Sequence, residues 1–432
     1  MRVALLLRTL RWTALILAGL VAWVAFAFVG TVHDWWRTPI APRGDTDAFA
    51  AAARVMAAER LRGNLAMVVI HRGQAVADHY ASVDADERIG PDTVFQVASM
   101  SKWVTAWGVL ALVDRGLVDL DAPVERYLTR WRLPASGFDH DGVTVRRLLS
   151  HTAGLVDGLG YAGFVDPAAV QPLEASLARA ADAGLGRDGV VRVGFEPGAE
   201  WRYSGGGYTV LQLLIEEVTG RAFAEYMRAE VLEPLGMLRS TYELDGVIDA
   251  DLAGHFTDGV RVPHRSFTAQ AAAALHTTAS DSTRFLAAHL EGPDGAPPGR
   301  GVVSERSLTE MTTPHGSLFG LGIWGLGPLL YGPVLGSPHV VGHDGFNSPG
   351  ISTTARLDLH DGSGIIVLSS GDPELAPDLG SAWVYHHIGS LDVITLSAGL
   401  GRMATLIAVG AAVLLVGALA AGRTRRAWRR RA

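Results

Sequence analysis

Two long segments without a charged residue, one near each end of this 432-residue chain, restrict its fold more than any other feature. As helices, residues 12–30 and 403–422 would each span about 28 Å or more, enough to cross the hydrocarbon core of a bilayer. Arginines lie on the outer flank of both segments, at positions 2, 8 and 11 and at positions 423, 425, 426, 429, 430 and 431. This arrangement predicts two membrane crossings, with both termini in the cytoplasm and the residues between them outside.

The two segments divide the chain into five predicted parts: a cytoplasmic tail (1–11), a transmembrane signal anchor (12–30), an exported domain (38–390), a second transmembrane helix (403–422) and a basic cytoplasmic tail (423–432). For the first segment the alternative is a cleaved signal peptide, with Ala25-Phe26-Ala27 as a weak cleavage site, but the apolar run is longer than a signal core. For the second segment the alternative is a buried core helix, and its length and trailing arginines argue against it.

The charge of the middle of the chain argues against nucleic acid as a partner. The chain has 37 basic and 44 acidic residues, but eleven of the arginines and only one acidic residue lie in 1–37 and 402–432. Residues 38–401 therefore carry a formal charge of −17, whereas phosphate contacts need a basic surface. The expected partners are a lipid bilayer and a small-molecule or peptide substrate, and the oligomeric state stays open. Cysteine is absent, which excludes disulfides, a thiol nucleophile and thiolate metal sites.

Lys102 is the only lysine in the chain, and it follows Ser99 by three residues. Arginine stays protonated in proteins, whereas a buried lysine can lose its proton and then accept one from a serine hydroxyl. The apolar pattern of 101–113 predicts a helix after an extended segment, so both side chains would share one helix face, with Ser99 at the N-terminus. The spacing is typical of serine enzymes with a Ser-x-x-Lys pair. A chance serine in a lysine-poor chain is the alternative interpretation.

Predicted strands lie at both ends of the exported domain, and predicted helices lie between them. A hairpin is predicted over 64–80, and three strands are predicted within 338–371. Helices are predicted over 46–60, 101–113, 209–219, 222–233 and 277–289. This order predicts an α/β (α+β) fold, in which an antiparallel sheet built from both ends of the domain is flanked by helices and carries an inserted, mainly helical subdomain.

Three motifs in order resemble those of the serine β-lactamase and penicillin-binding-protein superfamily. The nearest match is the class C β-lactamase-like branch, which includes esterases and D-amino-acid peptidases. The first motif runs from Ser99 to Lys102, the second is Tyr203-Ser204-Gly205, similar to Tyr-x-Asn, and the third is His343-Asp344-Gly345, similar to Lys-Thr-Gly. The resemblance extends from about Phe49 to Gly371. No Gly-x-Ser-x-Gly elbow occurs, which argues against an α/β-hydrolase.

The resemblance implies an acyl-enzyme mechanism that uses no metal or organic cofactor. Ser99 would be the nucleophile, and Lys102 would lower the proton affinity of its hydroxyl or accept its proton. Tyr203 would relay a proton to the leaving group, with Lys102 and His343 as the cations that lower its pKa. His343 would also attract a substrate carboxylate or carbonyl. The backbone N–H groups of Ser99 and Phe346, the latter directly after Gly345, would form the oxyanion hole.

Two positions depart from the pattern of efficient β-lactamases. Gly205 replaces the asparagine whose amide binds the amide side chain of a β-lactam substrate. His343 replaces a lysine, so the predicted positive charge at neutral pH is only partial. Both departures favour an ester or peptide substrate over a β-lactam within a membrane-anchored serine hydrolase. The alternative is a non-hydrolytic penicillin-binding sensor or cell-wall-binding protein of the same fold, and the short predicted tails argue against a sensor.

Other candidate residues are given smaller roles. Ser101 is a second candidate nucleophile, but no lysine follows it by three residues. His151 is interpreted as a structural residue that hydrogen-bonds a loop near the site. No metal site is predicted, because the best candidate pair, His386 and His387, is adjacent in sequence and adjacent histidines are poor co-ligands.

Overall fold

The computed structural model describes residues 2–36, 38–157, 160–244, 251–332, 339–348 and 350–431. Within these ranges the helices are α1 (Arg2–Val32), α2 (Thr46–Arg60), α3 (Ser101–Asp114), α4 (Val145–Leu149), α5 (Leu173–Ala178), α6 (Gly205–Thr219), α7 (Phe223–Met227), α8 (Gln270–Ala273), α9 (Ala279–Ala287), α10 (Glu305–Thr312), α11 (Leu375–Ile388) and α12 (Val393–Arg431). The strands are β1 (Asn64–His71), β2 (Gln74–Ser82), β3 (Phe95–Gln96), β4 (His255–Thr257), β5 (Val260–Val262), β6 (His276–Thr277), β7 (Gly316–Leu318), β8 (Leu321–Trp324), β9 (Leu329–Leu330), β10 (Val340–Asn347), β11 (Ile351–Asp358) and β12 (Gly364–Ser369).

The main sheet is antiparallel, and its strand order among the described residues is β2-β1-β12-β11-β10-β9-β8-β7. The first strand lies between β2 and β12, so that Leu65 pairs with Ala81 on one side and with Ser369 on the other. Helices α3 to α10 are inserted between these early and late strands. The α/β (α+β) prediction of one sheet built from both ends of the domain is therefore confirmed.

Strand β1 is buried on both faces of the sheet. Because successive side chains of a strand point to opposite faces, its alternate residues enter two different cores. One core is formed with α2 and α11, and the β1 side chains in it are Leu65, Met67 and Val69. The larger core is formed with α3, α6 and α9, and the β1 side chains in it are Ala66, Val68 and Ile70.

Helix α3 lies inside the larger core, where every residue from Ser101 to Leu112 is buried. Its Trp103 and Trp107 pack against Phe285 and His289 at the end of α9. A helix that is apolar all round is typical of such a central position. Lys102, in the first turn of this helix, is only 2% exposed.

Two helices are long and apolar enough to span a membrane by length and composition, over Leu10–Val32 and Gly399–Thr424. They pack side by side, and the Trp23 indole N–H donates to the Leu406 carbonyl at 3.2 Å. A Cβ atom on Gly410 would lie 1.9 Å from the Trp23 ring, so the small residue permits this close approach. The end of α1 also meets the segment just before α12, because the Leu391 N–H donates to the Val32 carbonyl at 2.9 Å.

Most predicted elements are confirmed, and the largest differences in helix boundaries are at α6 and α7. Helix α6 begins at Gly205, four residues before the predicted start, because the Ser204 hydroxyl caps it by accepting from the Gly207 N–H. The helix predicted over 222–233 is α7 followed by a π-helical turn, Arg228–Leu232.

Candidate active site

Ser99 and Lys102 are brought together at the start of α3. A 3₁₀ turn, Ala98–Met100, leads into the helix, and Ala98 has a φ of +46° that turns the chain sharply before Ser99. The Lys102 ammonium lies 3.1 Å from the Ser99 Oγ and donates to the Ala272 carbonyl at 2.7 Å. The predicted contact between the Ser99 and Lys102 side chains is therefore present.

The surroundings of Lys102 favour the neutral amine. Burial lowers the pKa of Lys102 to about 7, although the negative charge of Asp157 opposes that shift. The amine also lies 5.0 Å from the centre of the Tyr203 ring and 5.6 Å from that of the Tyr208 ring. Near neutral pH a large fraction of Lys102 can therefore accept a proton.

Tyr203 reaches the same place from the chain segment before α6. A hydrogen bond with the Ser99 side chain lowers the pKa of the Tyr203 phenol, but this effect is smaller than the opposing effect of burial. Burial raises the pKa of Tyr203 well above its usual range, which contradicts the lowered pKa predicted from the sequence. The phenol is consequently protonated at neutral pH and can donate a hydrogen bond.

Aromatic rings surround His151 and fix Tyr203 in place. The His151 ring lies 4.4 Å from that of Tyr203, 4.6 Å from that of Trp324 and 5.3 Å from that of Tyr208, measured between centroids. Its Nδ1 accepts the backbone N–H of Ser204 at 3.1 Å, which confirms the predicted structural role. Burial keeps the pKa of His151 well below its usual value, so the ring is neutral.

Asp157 is a carboxylate beside the site that the sequence analysis missed. It accepts a hydrogen bond from the Ser204 hydroxyl and another from the Gly206 N–H at 2.7 Å. These contacts hold the first turn of α6. The acidic residue follows the apolar Leu155-Val156 pair directly, but nothing in its local sequence marks it as a partner of a segment almost fifty residues away.

Gly205, at the position of the family's asparagine, is closely covered by another missed residue, Tyr161. A Cβ atom on Gly205 would lie 3.0 Å from the Tyr161 ring. The Tyr161 hydroxyl lies 3.1 Å from the Thr209 Oγ1, and its carbonyl accepts the Asn347 side-chain N–H at 3.0 Å. The Tyr161 ring therefore lies against the point where the side chain of an asparagine at position 205 would begin.

His343 lies in β10 beside the aromatic rings that surround His151, and its ring centroid is 5.3 Å from that of Trp324. Its Nδ1 lies 2.6 Å from the Asp344 carbonyl, which can only accept, so Nδ1 carries the proton and Nε2 presents a lone pair. Burial and the Lys102 charge lower the pKa of His343 to about 4. The partial positive charge predicted for His343 at neutral pH is therefore wrong, because the buried ring is neutral.

Gly345 allows β10 to lie against the segment that leads to Ser99. A Cβ atom on this residue would lie 2.1 Å from the Val97 carbonyl oxygen and 2.2 Å from the Thr353 Oγ1. The next residue, Phe346, is 59% exposed. The oxyanion hole of Ser99 and Phe346 N–H groups stays a prediction.

Asp344 points to the other side of the sheet and holds β10 to β11. Both of its carboxylate oxygens accept from the Arg356 guanidinium at 3.1 Å, and the Tyr331 hydroxyl donates to it at 3.0 Å. Burial raises the pKa of this carboxyl, but Arg356 and the hydrogen bonds lower it further, so the pair is ionised. The middle residue of the third motif is thus structural here.

Ser101 is fully engaged by the backbone. Its hydroxyl donates to the Ala98 carbonyl at 2.5 Å and accepts the Leu275 N–H at 2.9 Å. A hydroxyl held in this way is not available for attack, so Ser101 is not a second nucleophile. The two hydrogen bonds instead fasten the turn that carries Ser99.

Comparison with known proteins gives a consistent result. The family model described as Beta-lactamase matches residues 49–389. Esterase EstB of Burkholderia gladioli is 34% identical over 215 residues, which is 44% of this chain and 51% of the esterase. Penicillin-binding protein 4* of Bacillus subtilis is 31% identical over 160 residues, which is 37% of this chain and 32% of that protein. The chain thus spans about a third to a half of the length of these curated relatives.

Solved structures share the fold over most of the chain. The octameric penicillin-binding protein homologue from Pyrococcus abyssi is 26% identical, with a TM-score of 0.64 over 79% of this chain and 76% of that one.

Proposed function

This chain belongs to the beta-lactamase family of serine hydrolases, and from that premise we propose that it hydrolyses an ester or amide through an acyl-enzyme on Ser99. The observation that carries this proposal is the contact of 3.1 Å between the Ser99 Oγ and a buried Lys102 amine whose pKa is about 7. A base of that pKa is matched to proton transfer near neutral pH. His343 and the backbone of Phe346 complete the proposed site.

In the acylation step, the Ser99 Oγ attacks the carbonyl carbon while its proton passes to the Lys102 Nζ. The carbonyl oxygen gains the negative charge and is stabilised by the backbone N–H groups of Ser99 and Phe346. Collapse of this intermediate breaks the bond to the leaving group. The Tyr203 phenol, protonated and hydrogen-bonded to Ser99, donates the proton that the leaving group needs and regains one from Lys102.

In the deacylation step, water replaces the leaving group. Neutral Lys102 takes a proton from water as the water attacks the acyl carbon, while the Tyr203 phenol stays protonated. Lys102 then returns that proton to the Ser99 oxygen as the acyl bond breaks. The neutral His343 ring offers its Nε2 lone pair, which makes no hydrogen bond within the described part of the chain. That atom is suited to accept from a water or from a substrate N–H.

The substrate class is best matched by a carboxylic ester without a negative charge beside the scissile bond. Gly205 brings no amide, and the Tyr161 ring covers the space where one would lie. The neutral His343 offers no fixed charge for the carboxylate of a β-lactam or of a D-amino-acid peptide. A D-amino-acid peptide is the second choice, because His343 can still accept a hydrogen bond from it.

The domain is proposed to work at the extracytoplasmic surface of a membrane, anchored by α1 and α12. Both helices carry apolar stretches of sufficient length, and arginines flank them on the side away from the domain. Trp35 and Trp36 follow α1 with side chains that are 54% and 47% exposed. Exposed tryptophans are enriched where a chain leaves the bilayer, which agrees with this placement.

The test is the intact mass of the full-length chain in detergent after incubation with a fluorophosphonate. We expect one adduct on the wild type and none on Ser99→Ala. Ser136→Ala is the matched control, because it removes an exposed serine hydroxyl whose hydrogen bonds are to His140 and the Phe138 N–H. No adduct on a folded wild type would instead support a binding protein of this fold that has no acyl-transfer chemistry.

Hydrolysis of a series of neutral esters, D-amino-acid peptides and penicillins then ranks the substrate classes. We expect the neutral esters to give the highest kcat/KM. A D-amino-acid peptide or a penicillin at the top of that ranking would contradict the proposed preference while leaving the acyl-enzyme mechanism intact.

A further inference from the structure

We propose that the tip of the β7–β8 hairpin, residues 318–321, inserts into the surface of a lipid bilayer beside α1 and α12. Phe319 and Gly320 join the two strands, and Leu318 pairs with Leu321 across the turn. The tip therefore has the sequence Leu-Phe-Gly-Leu, without a polar side chain. The proposal rests on the membrane anchoring proposed for the two apolar helices, and it does not depend on the acyl-enzyme chemistry.

Phe319 is exposed to solvent at a turn position that does not favour it. The residue is 75% exposed and has a φ of +53°, and Gly320 follows with a φ of +79°. A two-residue hairpin turn in which both φ angles are positive favours Asn-Gly or Asp-Gly, because a bulky side chain is strained there. In water, an exposed phenylalanine brings no gain that offsets this strain. Insertion into a bilayer would bury the ring and supply that gain.

The hairpin tip lies where the two apolar helices meet the domain. Leu318 and Leu321 pack against a buried cluster that contains Val32 of α1 and Leu396 of α12. The apolar stretch of α1 ends at Val32, and that of α12 begins at Gly399, three residues after Leu396. The apolar surface of the tip is therefore continuous with that of the two helices, and this continuity identifies a bilayer as its occupant.

Two tryptophans indicate the level of the membrane surface near this cluster. The Trp35 and Trp36 rings fold back onto the Phe26 ring, with centroid distances of 5.5 and 5.8 Å. A Cβ atom on Gly30 would lie 2.6 Å from the Trp36 ring. Gly30 precedes Val32 by about 3 Å along the helix, whereas each headgroup layer is about 5–7 Å thick. If tryptophans occupy that layer, the cluster beside the hairpin lies at the same depth.

The sequence around the hairpin lacks the charges that would oppose insertion. No Asp, Glu, Lys or Arg occurs between Glu310 and Asp344, although the exported domain as a whole is strongly acidic. Insertion would therefore desolvate no carboxylate or guanidinium of this segment, and desolvation of such groups is the main cost of placing a chain in a bilayer. The uncharged tip matches a bilayer better than it matches a charged protein surface.

Such a contact would hold the candidate site close to the membrane. Helices α1 and α12 pack side by side, so together they attach the domain at one point and leave its tilt free. The hairpin adds a second point of contact beside them. Tyr203 packs against the same cluster as Leu318 and Leu321, so the tilt that the hairpin fixes is also that of the candidate site.

The experiment uses the absence of cysteine, which allows one labelled position in each full-length variant. Phe319→Cys is labelled with the fluorophore nitrobenzoxadiazole and placed in phosphatidylcholine nanodiscs, with or without lipid that carries a nitroxide near the headgroup. Nitroxide quenches the label only at short range, so we expect the label at position 319 to lose about half of its emission. Val29→Cys, in the last turns of α1, is the positive control. Leu238→Cys is the matched negative control, because Leu238 is also 75% exposed but is not part of the cluster.

Circular dichroism establishes that each labelled variant is folded, and the label at position 238 should keep its emission. Quenching at position 29 without quenching at position 319 would overturn the inference and leave the membrane anchoring intact. Without quenching at either position, the anchoring itself is wrong and the inference falls with it. A label at position 319 with blue-shifted emission that nitroxide does not quench would indicate a protein occupant, such as a second copy, and would also overturn the inference. The fluorophosphonate adduct on Ser99 reports on the hydrolytic function separately.

Discussion

Lys102 shows how burial of one side chain sets the chemistry of its neighbours. The ammonium is enclosed by the Tyr203 and Tyr208 rings and donates to the Ala272 carbonyl. Burial lowers the pKa of Lys102, and the smaller opposing effect of the Asp157 charge does not reverse that shift. The same burial keeps Tyr203 protonated and His343 neutral. Burial thus gives the proposed base (Lys102), acid (Tyr203) and hydrogen-bond acceptor (His343) the protonation states that their roles require.

The first prediction concerns pH. Because Lys102 must be neutral to accept the Ser99 proton, kcat/KM should fall about tenfold per pH unit below an apparent pKa of about 7. Initial rates between pH 5 and 9 measure this limb, within a range where His343 stays neutral. Lys102→Arg keeps a charge but no base, and should lower kcat by about 10²–10⁴. A profile that is flat from pH 5 to 9 would argue against Lys102 as the base.

The second prediction concerns the space beside Gly205. Gly205→Asn alone should not increase acylation by a penicillin, because its side chain meets the Tyr161 ring. Adding Tyr161→Ala should let the amide reach the substrate and raise the acylation rate about tenfold, the effect of one hydrogen bond. Intact mass after timed incubation measures the rate. Tyr161→Ala alone is the control. If a penicillin acylates this variant as fast as the double variant, the added amide is not the cause of the faster acylation.

At the scale of elements, the third prediction tests how β10 positions the nucleophile. Gly345→Ala places a Cβ against the Val97 carbonyl and the Thr353 hydroxyl, so β10 or the turn before Ser99 must move. We expect a loss of about 1–3 kcal/mol in the free energy of unfolding and a slower fluorophosphonate reaction. Gly90→Ala is the matched control, since a Cβ there meets no atom within 4 Å. Equal stability of the two variants would contradict the proposed packing.

Elements with a clear periodicity could be predicted from the sequence, and elements shaped by distant contacts could not. Helix α2 and the β1–β2 hairpin were recognisable because their patterns are local. The start of α6 was not, because three glycines disfavour a helix and only the Ser204 cap and its bond to Asp157 offset them.

In the candidate site, too, contacts within one helix turn could be predicted from the sequence, and contacts between distant segments could not. The spacing of Ser99 and Lys102 indicated their contact, since one helix turn carries both residues. Tyr161 and Asp157 could not be assigned, because their roles depend on a loop folding back on α6. The charge states of Tyr203 and His343 were also beyond reach, because burial by the whole core determines them.

At the scale of the whole molecule, the two apolar helices support the serine site. Val32 at the end of α1 and Leu396 at the start of α12 form one buried cluster with Trp324 of β8. Tyr203 packs against this cluster, and Trp324 contacts His151 and His343. The two apolar helices therefore form part of the wall behind the candidate site.

The fourth prediction follows from this packing. Leu396→Ala removes buried methyl groups behind Trp324 and should lower the thermal midpoint of the full-length chain, at a cost of about 2 kcal/mol or more, and reduce kcat. Leu396→Met, which conserves volume, should stay near the wild type. Thermal unfolding and ester hydrolysis in detergent measure both effects. The support role is wrong if the alanine variant matches the wild type in both measurements.

The pairing of Leu65 with Ser369 has a consequence for how the protein is made. A ribosome releases β1 and β2 early, but the strand that completes their sheet appears only after nearly all of the insertion has been translated. In a chain threaded through the membrane as proposed, the nascent hairpin waits outside with one open edge while the rest is exported. Such an edge invites pairing with other chains. We therefore expect the yield of folded protein to depend on how soon β12 follows this hairpin across the membrane.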